Sequence, residues 1–450
     1  MSYVEDLLDD IWQIDVDTTP KDVTDETKRA ISDFFGVTIA GFQNPAAKPI
    51  LRHIQMHSSS SGSSLLGTSM KVEAQMACLG NGYAAHVYDL DDCLQSTLGH
   101  PTAALAPAIV CAAEEANATG ADVIRAYLIA LEVIGRIGRV ANPTTSERGW
   151  HCSPVFGVIG AATAASVLLG CDKATTAMAI GISCSYASGL RANFGTHVKA
   201  LHMGAAAERG LEAAELARTG TTSSLTALEG TDGFFQVFAG IPPNSVRYEP
   251  STNWELQDPG LMYKRFSCCS GMAPAIEAIL EHPQLRESDP AEIESIHVGT
   301  SILSPMELVH PLPQTAMQSK FSMQYAIACP IVHRKTTLEV FNNDSYVQDE
   351  RVQELMKKIY LAVDPELAER GMTADAPVKI RVDFRDGTAV ETRRDYARGN
   401  PLNRLSDQEM REKFMGLCAP VLGTSGAAEL YSSLTALESA ANVRDLTDLC

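Results

Sequence analysis

The chain contains no Cys-x-x-Cys pair, and its eleven cysteines are an odd total, so neither a disulfide framework nor a zinc ribbon organises it. A reducing, cytoplasmic setting fits that usage. The opening MSYVEDLLDDIWQIDVDTTP lacks a basic region and an apolar run and is acidic, so it is expected to be neither a secretory signal nor a transit peptide. Basic residues are outnumbered, giving a formal net charge of −19 and a pI near 5.0. That balance excludes nucleic acid and an anionic membrane as natural partners, and any anionic substrate must be held by a local cationic pocket against the global field. Aromatics are few, at 6% beside 45% hydrophobic and 20% charged residues, which is the make-up of an ordinary soluble globular protein. The longest uncharged run, Ser153 to Cys171, approaches membrane-span length. It is rich in Gly, Ala and Ser and lacks flanking basic clusters, so it reads as a buried core helix. There is no internal repeat, and low complexity is confined to SSSSGSS at 58–64, expected to be a flexible loop.

The 450 residues can bury a large core and allow two or three domains. Apolar spacing of helical type runs from Asp22 to Ala40, through Ala30, Ile31, Phe34, Phe35 and Ile39. It recurs from Ala121 to Val140, through Val123, Tyr127, Leu128, Leu131, Ile134 and Ile137. Between Pro154 and Gly220 small residues dominate, so helices can approach closely and few positions are free to carry chemistry. After about Leu261 the texture changes. IESIHVG reads as a strand, and Val378, Ile380, Val382 and Phe384 alternate up to Asp386-Gly387, a type I′ hairpin signal, before TAVETRRDYA returns. Helices are expected at Ser319 to Ile327 and Asp349 to Tyr360, which makes an α+β module. From Pro401 helix returns: Ser406 and Glu409 form a capping box, and Ala427 to Asn442 is a second amphipathic segment, suggesting that the C-terminus rejoins the first domain.

Reactive side chains concentrate in NGYAAHVYDLDDCLQSTLGHP, residues 81–101. Read as a helix through Asp92, it puts His86, Asp89 and Cys93 on one face and points Asp91 elsewhere. His100-Pro101 follows on non-helical backbone. This is either a proton-handling wall or a solvated helix end with a satisfied histidine. In GWHCSPVFG, Ser153 can cap a helix with Pro154 as its first residue, leaving His151 just ahead of a helix N-terminus, where imidazolium is disfavoured and anions are favoured. His151 is then an acid/base candidate or a buried structural histidine. In THVKALHMG, Lys199 and His202 fall at i, i+3, and Lys199 is either snorkelling or functional. In YKRFSCCSG, Lys264 and Arg265 can clamp a carboxylate at the domain boundary, whereas Cys268-Cys269 reads as packing. In KFSMQY, Tyr325 is a phenolic acid/base or a half-buried packing residue. The two histidines of HIQMH, at 53 and 57, have no identifiable third ligand, and no metal cluster of known spacing is present.

The succession NGYAAHVYDLDD…GHP, GWHCSPVFGVIGAATAA, THVKALHMGAAAERG, LEGTDGFFQVFAG, KRFSCCS, KFSMQYA and RGNPLNRLS resembles the MmgE/PrpD family. That family contains 2-methylcitrate dehydratases, cis-aconitate decarboxylases and iminodisuccinate epimerases. The resemblance implies a mainly α protein, with a large all-α helical domain from residues 1–262 and 400–450, a smaller inserted α+β domain over 263–399, and a cleft between them. It also implies a homodimer with no metal and no organic cofactor. Carried over by position, it makes Asp89, His100, His151, Lys199 and Tyr325 catalytic and places Lys264, Arg265, Cys93 and His202 around the substrate, with Lys199 and Lys264 facing one another across a pocket that holds His100 and His151. Two departures stand out. Cys93 replaces the threonine that often follows the Asp-Asp pair, and Cys269 and Ala273 stand where histidines occur in other members, which weakens the decarboxylase reading.

Dehydrating a citrate-like acid requires cations for its carboxylates and for the developing aci-carboxylate, a base for the C–H proton and an acid for the leaving oxygen. Lys199, Lys264 and Arg265 supply the first; His151, His100 and Tyr325 are available for the others. An aconitase-type iron–sulfur cluster lacks its usual cysteine spacing here. The expectation is therefore a cofactor-independent lyase for a small di- or tricarboxylate, foremost a 2-methylcitrate or citrate-like dehydratase. Decarboxylation, epimerisation of an iminodisuccinate-type acid, and a non-catalytic binding protein are the alternatives.

Overall fold

The computed structural model describes residues 2–450, with only the backbone for 58–61. Its first half is a helical bundle: Tyr3–Ile11, Lys21–Gly41, Ala74–Val87, Pro101–Ala116, Gly120–Ala141, Cys152–Leu168, Lys173–Tyr186 and His197–Arg218. The apolar stripes expected at 22–40 and 121–140 are buried, and the uncharged run becomes the enclosed helix Cys152–Leu168. Small residues set the spacing. A Cβ built on Gly82 would lie 2.7 Å from Gly204 Cα, and one on Gly204 would lie 2.1 Å from Leu79 O, so helices Ala74–Val87 and His197–Arg218 meet backbone to backbone.

Residues 58–64 do not form the expected loop. They make strand β1 (Ser58–Ser64), antiparallel to β2 (Lys71–Val72). Its end is pinned where Glu114 accepts the Ser64 N–H at 3.0 Å and Asn81 Nδ2 donates to Ser64 O at 2.9 Å. Two short strands, β3 (Cys93–Leu94) and β4 (Leu261–Met262), pair Cys93 with Met262 and Leu94 with Leu261. They tie the reactive stretch to the segment that carries Lys264.

The α+β part is a four-stranded sheet in the order β6-β5-β7-β8, made of β5 (Ile293–Thr300), β6 (Ile359–Val363), β7 (Val378–Phe384) and β8 (Ala389–Arg394). β5 runs parallel to β6 and antiparallel to β7. The β7–β8 hairpin is present, but of glycine-bulge rather than type I′ form. Gly387 alone is left-handed (φ 86°), and its N–H donates to Phe384 O at 3.0 Å. The helix expected over 319–327 is broken into Ala316–Ser319 and Met323–His333, because Ser322 caps the second piece by accepting the Tyr325 N–H at 3.1 Å. The one expected over 349–360 stops at Met356, and Tyr360 enters β6.

Among the described residues two large apolar cores result, beside a small alanine cluster of Ala162, Ala179, Ala213 and Ala217. The larger draws on residues between Tyr3 and Tyr263 and again between Leu405 and Leu446, and the smaller on Phe194 and on residues between Phe266 and Ala397. The returning helix Asp407–Thr435 opens with the expected Ser406/Glu409 capping box and bends at Gly423 (φ 73°, ψ 161°). Lys413 anchors it to buried Asp33 at 2.7 Å. Among the described residues, no helix is long and apolar enough to cross a membrane.

Candidate active site

The helix Ala74–Val87 ends five residues earlier than the sequence pattern suggests, because Asp89 adopts a left-handed conformation (φ 56°) that aspartate tolerates. The reversal exchanges the roles of the two carboxylates. Asp91, expected to point away, accepts from His86 Nδ1 at 2.8 Å and lies 3.4 Å from His100 Nδ1. Asp89 enters a cluster of cations while staying 3.8 Å from His100 Nε2.

Lys199, two residues into helix His197–Arg218, donates to Asp89 Oδ2 at 2.6 Å. Lys264, brought in by the β3–β4 pairing, donates to Asp89 Oδ1 and to its carbonyl oxygen. The two lysines therefore share one carboxylate instead of facing each other across a pocket. All three groups are buried. Burial alone would raise the Asp89 pKa, but the two ammoniums outweigh it and hold the carboxyl well below its usual range. Asp91, held ionised beside the two neutral histidines, supplies the second negative charge, so the two ammoniums are balanced by two carboxylates. The rings of Phe194 and Phe321 flank Lys199 Nζ, with centroids at 5.1 and 4.9 Å, a cation–π cradle that keeps the charge dry. A third buried lysine, Lys320, lies in the break before Ser322. It donates to Val87 O at 2.8 Å, and burial lowers its pKa to about 7.

His100 Nδ1 faces Asp92 O at 2.9 Å and Asp91 Oδ2 at 3.4 Å, whereas Nε2 is 3.8 Å from Asp89 Oδ1; the hydrogen-bond distance to Asp92 O assigns the proton to Nδ1 and leaves the lone pair on Nε2. Its backbone N–H donates to Ser153 Oγ at 2.9 Å. Ser153 is therefore not the helix cap; His151 is the cap residue, and the helix starts at Cys152. His151 Nδ1 meets His202 Nδ1 at 3.0 Å, so one of the two donates and the other accepts. Burial first, then the nearby ammonium of Lys264 for His100 and of Lys199 for His151, holds both imidazoles well below their ordinary pKa. His202 is lowered to about 4, mainly by burial. Behind this wall, Asp92 binds Thr102, and burial raises its pKa to about 8.

Of these groups, His100, His151 and Lys199 border a cavity of about 30 Å³ at the seam of the two cores. The larger core contributes Cys93, His100, His151 and Lys199, and the smaller contributes Cys269, Glu307 and Phe321. Cys93 Sγ lies 3.6 Å from His100 Nδ1, and burial keeps it a thiol with a pKa near 12. Two roomier grooves, about 680 and 740 Å³, carry none of the candidate residues.

Two candidates are placed elsewhere. Tyr325 is fully buried in the smaller core against Phe341, and its hydroxyl donates to Val340 O at 2.6 Å, so it is a packing residue and not a phenolic acid. Arg265 turns outward, pairs with Glu277 at 3.4 Å and stacks over Phe266. No carboxylate clamp includes it, because its neighbour Lys264 takes the inward direction. Sequence reasoning missed Asp91, Lys320 and Glu307. Lys320 stood in a motif already singled out; Glu307, in LSPMELVHP, carried no local signal.

Ligand atoms of His86, Asp89, Asp91 and His100 lie within 4.8 Å of one another, a spacing that suits a cation. In this protein the lysine ammoniums occupy the Asp89 carboxylate, and His86 Nδ1 is spent on Asp91.

Residues 5–246 match the MmgE/PrpD N-terminal domain and residues 266–438 the MmgE/PrpD C-terminal domain. The chain is 26% identical to a cis-aconitate decarboxylase of Mus musculus over 94% of its own length and 88% of that protein's. It is 25% identical to one of Homo sapiens, covering 95% and 90%, and 24% identical to one of Aspergillus terreus, covering 96% and 92%.

Proposed function

This chain belongs to the MmgE/PrpD family, and from that membership we propose that it is a lyase acting on a small di- or tricarboxylate, with the reacting carbon held between His100 and Lys199. The observation that carries the reading is the Lys199 ammonium, paired with Asp89, beside the neutral imidazoles of His100 and His151 at one buried cavity. An α-proton is removed from a carboxylate substrate only if the resulting aci-carboxylate is stabilised as it forms. The Lys199 ammonium, which lines the cavity, does this in a buried site with Lys264 behind it on Asp89, so the cationic role needs no added ion. His100 Nε2, with its lone pair free and its pKa lowered, is the base. Loss of hydroxide then gives an alkene, as in the dehydration of 2-methylcitrate or citrate.

A second reading, decarboxylation of a cis-aconitate-like acid, is favoured by the relatives, several of which are cis-aconitate decarboxylases. It uses the same cations to hold the charge left when CO₂ departs. Of the two positions whose residues weakened that reading, Cys269 lines the cavity, whereas Ala273 is packed in the smaller core. The purified protein is incubated with 2-methylcitrate, citrate, cis-aconitate and iminodisuccinate in deuterated buffer. Alkene formation is the expected outcome, CO₂ release establishes the second reading, and deuterium uptake without loss of substrate identifies an epimerase. Silence on all four removes the lyase assignment. The homodimer implied by the family resemblance is checked by light scattering on the same preparation.

A further inference from the structure

The cavity wall from the larger core supplies bases, while the smaller core supplies one carboxyl group. Glu307 ends the short helix Leu303–Glu307, lines the cavity with His100, His151 and Lys199, and accepts a hydrogen bond from Cys269 Sγ at 3.4 Å. Resting on the elimination reading above, we infer that Glu307 is the catalytic acid that protonates the leaving oxygen, working across the cavity from His100 as base.

Elimination narrows the choice to this residue. Tyr325 is away from the cavity, Lys320 is committed to Val87 O, His151 is held as a neutral imidazole whose N–H is a very weak acid, and the Cys93 thiol is too weak an acid at a pKa near 12. The surroundings of Glu307 suit the role. Burial pushes its carboxyl up, against the Cys269 hydrogen bond and the charges of Lys199, Arg191 and Lys264, and the balance is a raised pKa. Cys269, raised well above its usual value mainly by burial, stays a thiol and so a donor; Cys152, which the Glu307 charge also raises, is held protonated too, at about 12. An acid shifted up facing a base shifted down is the pattern of an acid/base pair set to opposite tasks. Because the two groups come from different cores, a substrate held at the seam has one on either side.

The step balances as follows. His100 Nε2 takes the proton next to the substrate carboxylate, and the C–H electron pair becomes the new C=C bond. The C–O bond breaks, and its pair leaves on the oxygen, which takes the Glu307 proton and departs as water. His100 then returns its proton to the Glu307 carboxylate through solvent admitted as the product leaves, so the substrate becomes alkene plus water.

The test is Glu307→Gln, isosteric and unable to deliver a proton, in a variant whose thermal unfolding matches wild type. With the acid that wild type converts, kcat should fall roughly 10²–10⁴-fold, while deuterium exchange at the substrate α-carbon persists because the base is intact. The alkaline limb of the kcat profile should also disappear. Glu307→Asp should restore part of the turnover. Wild-type turnover in Glu307→Gln, or loss of exchange together with elimination, overturns the assignment. An infrared difference between wild type and Glu307→Gln at neutral pH needs no substrate: a protonated carboxylic acid band lost in the variant supports the acid, and its absence overturns it even if every tested substrate fails and the lyase reading falls.

Discussion

At the scale of single residues, Asp89 is the group on which the buried charges balance. Lys199 and Lys264 both rest on it, and all three are at most 6% exposed, so solvent cannot replace the carboxylate if it is lost. Asp89→Asn should therefore lower stability by about 3–5 kcal/mol, the usual cost of breaking a buried pair. The freed ammoniums make a further outcome specific: citrate, which brings its own carboxylates, should raise the melting temperature of Asp89→Asn more than that of wild type. Equal shifts in differential scanning calorimetry would count against an anion site at these lysines. Asp92 makes a pH prediction with the opposite charge logic. Its folded pKa is raised from 3.8 to about 8, so its contribution to stability is fully present below 3.8 and is lost as pH rises through about 8. Asp92→Asn should flatten the fall in melting temperature between those limits, and an unchanged slope would show that the group is not held protonated.

At the scale of elements, the site depends on how closely two helices meet. Ala74–Val87 leads into the Asp89 turn and His197–Arg218 carries Lys199, and glycines at their crossing remove the side chains that would separate them. Gly204→Ala puts a methyl 2.1 Å from Leu79 O, against backbone that cannot rotate away. It should cost about 1–3 kcal/mol in denaturant unfolding and lower kcat as well, because any separation lengthens the 2.6 Å Lys199–Asp89 contact. A variant of wild-type stability would show that the crossing has slack. The break between Ala316–Ser319 and Met323–His333 has a similar consequence: a continuous helix would keep Lys320 off the Val87 carbonyl, and Ser322 prevents it.

At the scale of the molecule, a cavity of about 30 Å³ has room for roughly one water and not for a tricarboxylate, so the two cores must part for a substrate to enter. The Gln95 amide bridges them at one point, donating to Met372 O at 3.0 Å and accepting from Ala374 N at 2.6 Å. Entry also opposes the net charge of −19. Salt screens that long-range field more than it screens buried lysines, so kcat/KM for a tricarboxylate should rise as ionic strength goes from about 0.01 M to about 0.15 M, where the Debye length shrinks from roughly 30 to 8 Å. A steady fall over that range would mean that a cationic approach path governs entry.

Periodicity and local chemistry alone determined the helical first half, the buried uncharged helix Cys152–Leu168, the strands at 293–300 and 378–394 and the capped return at Ser406, because each depends on neighbours within a few positions. Short motifs likewise marked His100, His151, Lys199 and Lys264, all buried polar residues in apolar surroundings where a charge or imidazole needs a reason to be present. Tertiary structure decided the rest. A helical projection puts Asp89 beside His86, but one left-handed residue reverses the chain and gives that place to Asp91. Lys264 and Arg265 are adjacent and equally basic, and only the β3–β4 pairing determines which turns inward. Tyr325 points into the smaller core, against Phe341 and the Val340 carbonyl. Glu307 joins the site from more than 150 residues beyond His151, across a seam between two cores, a proximity that no local spacing encodes.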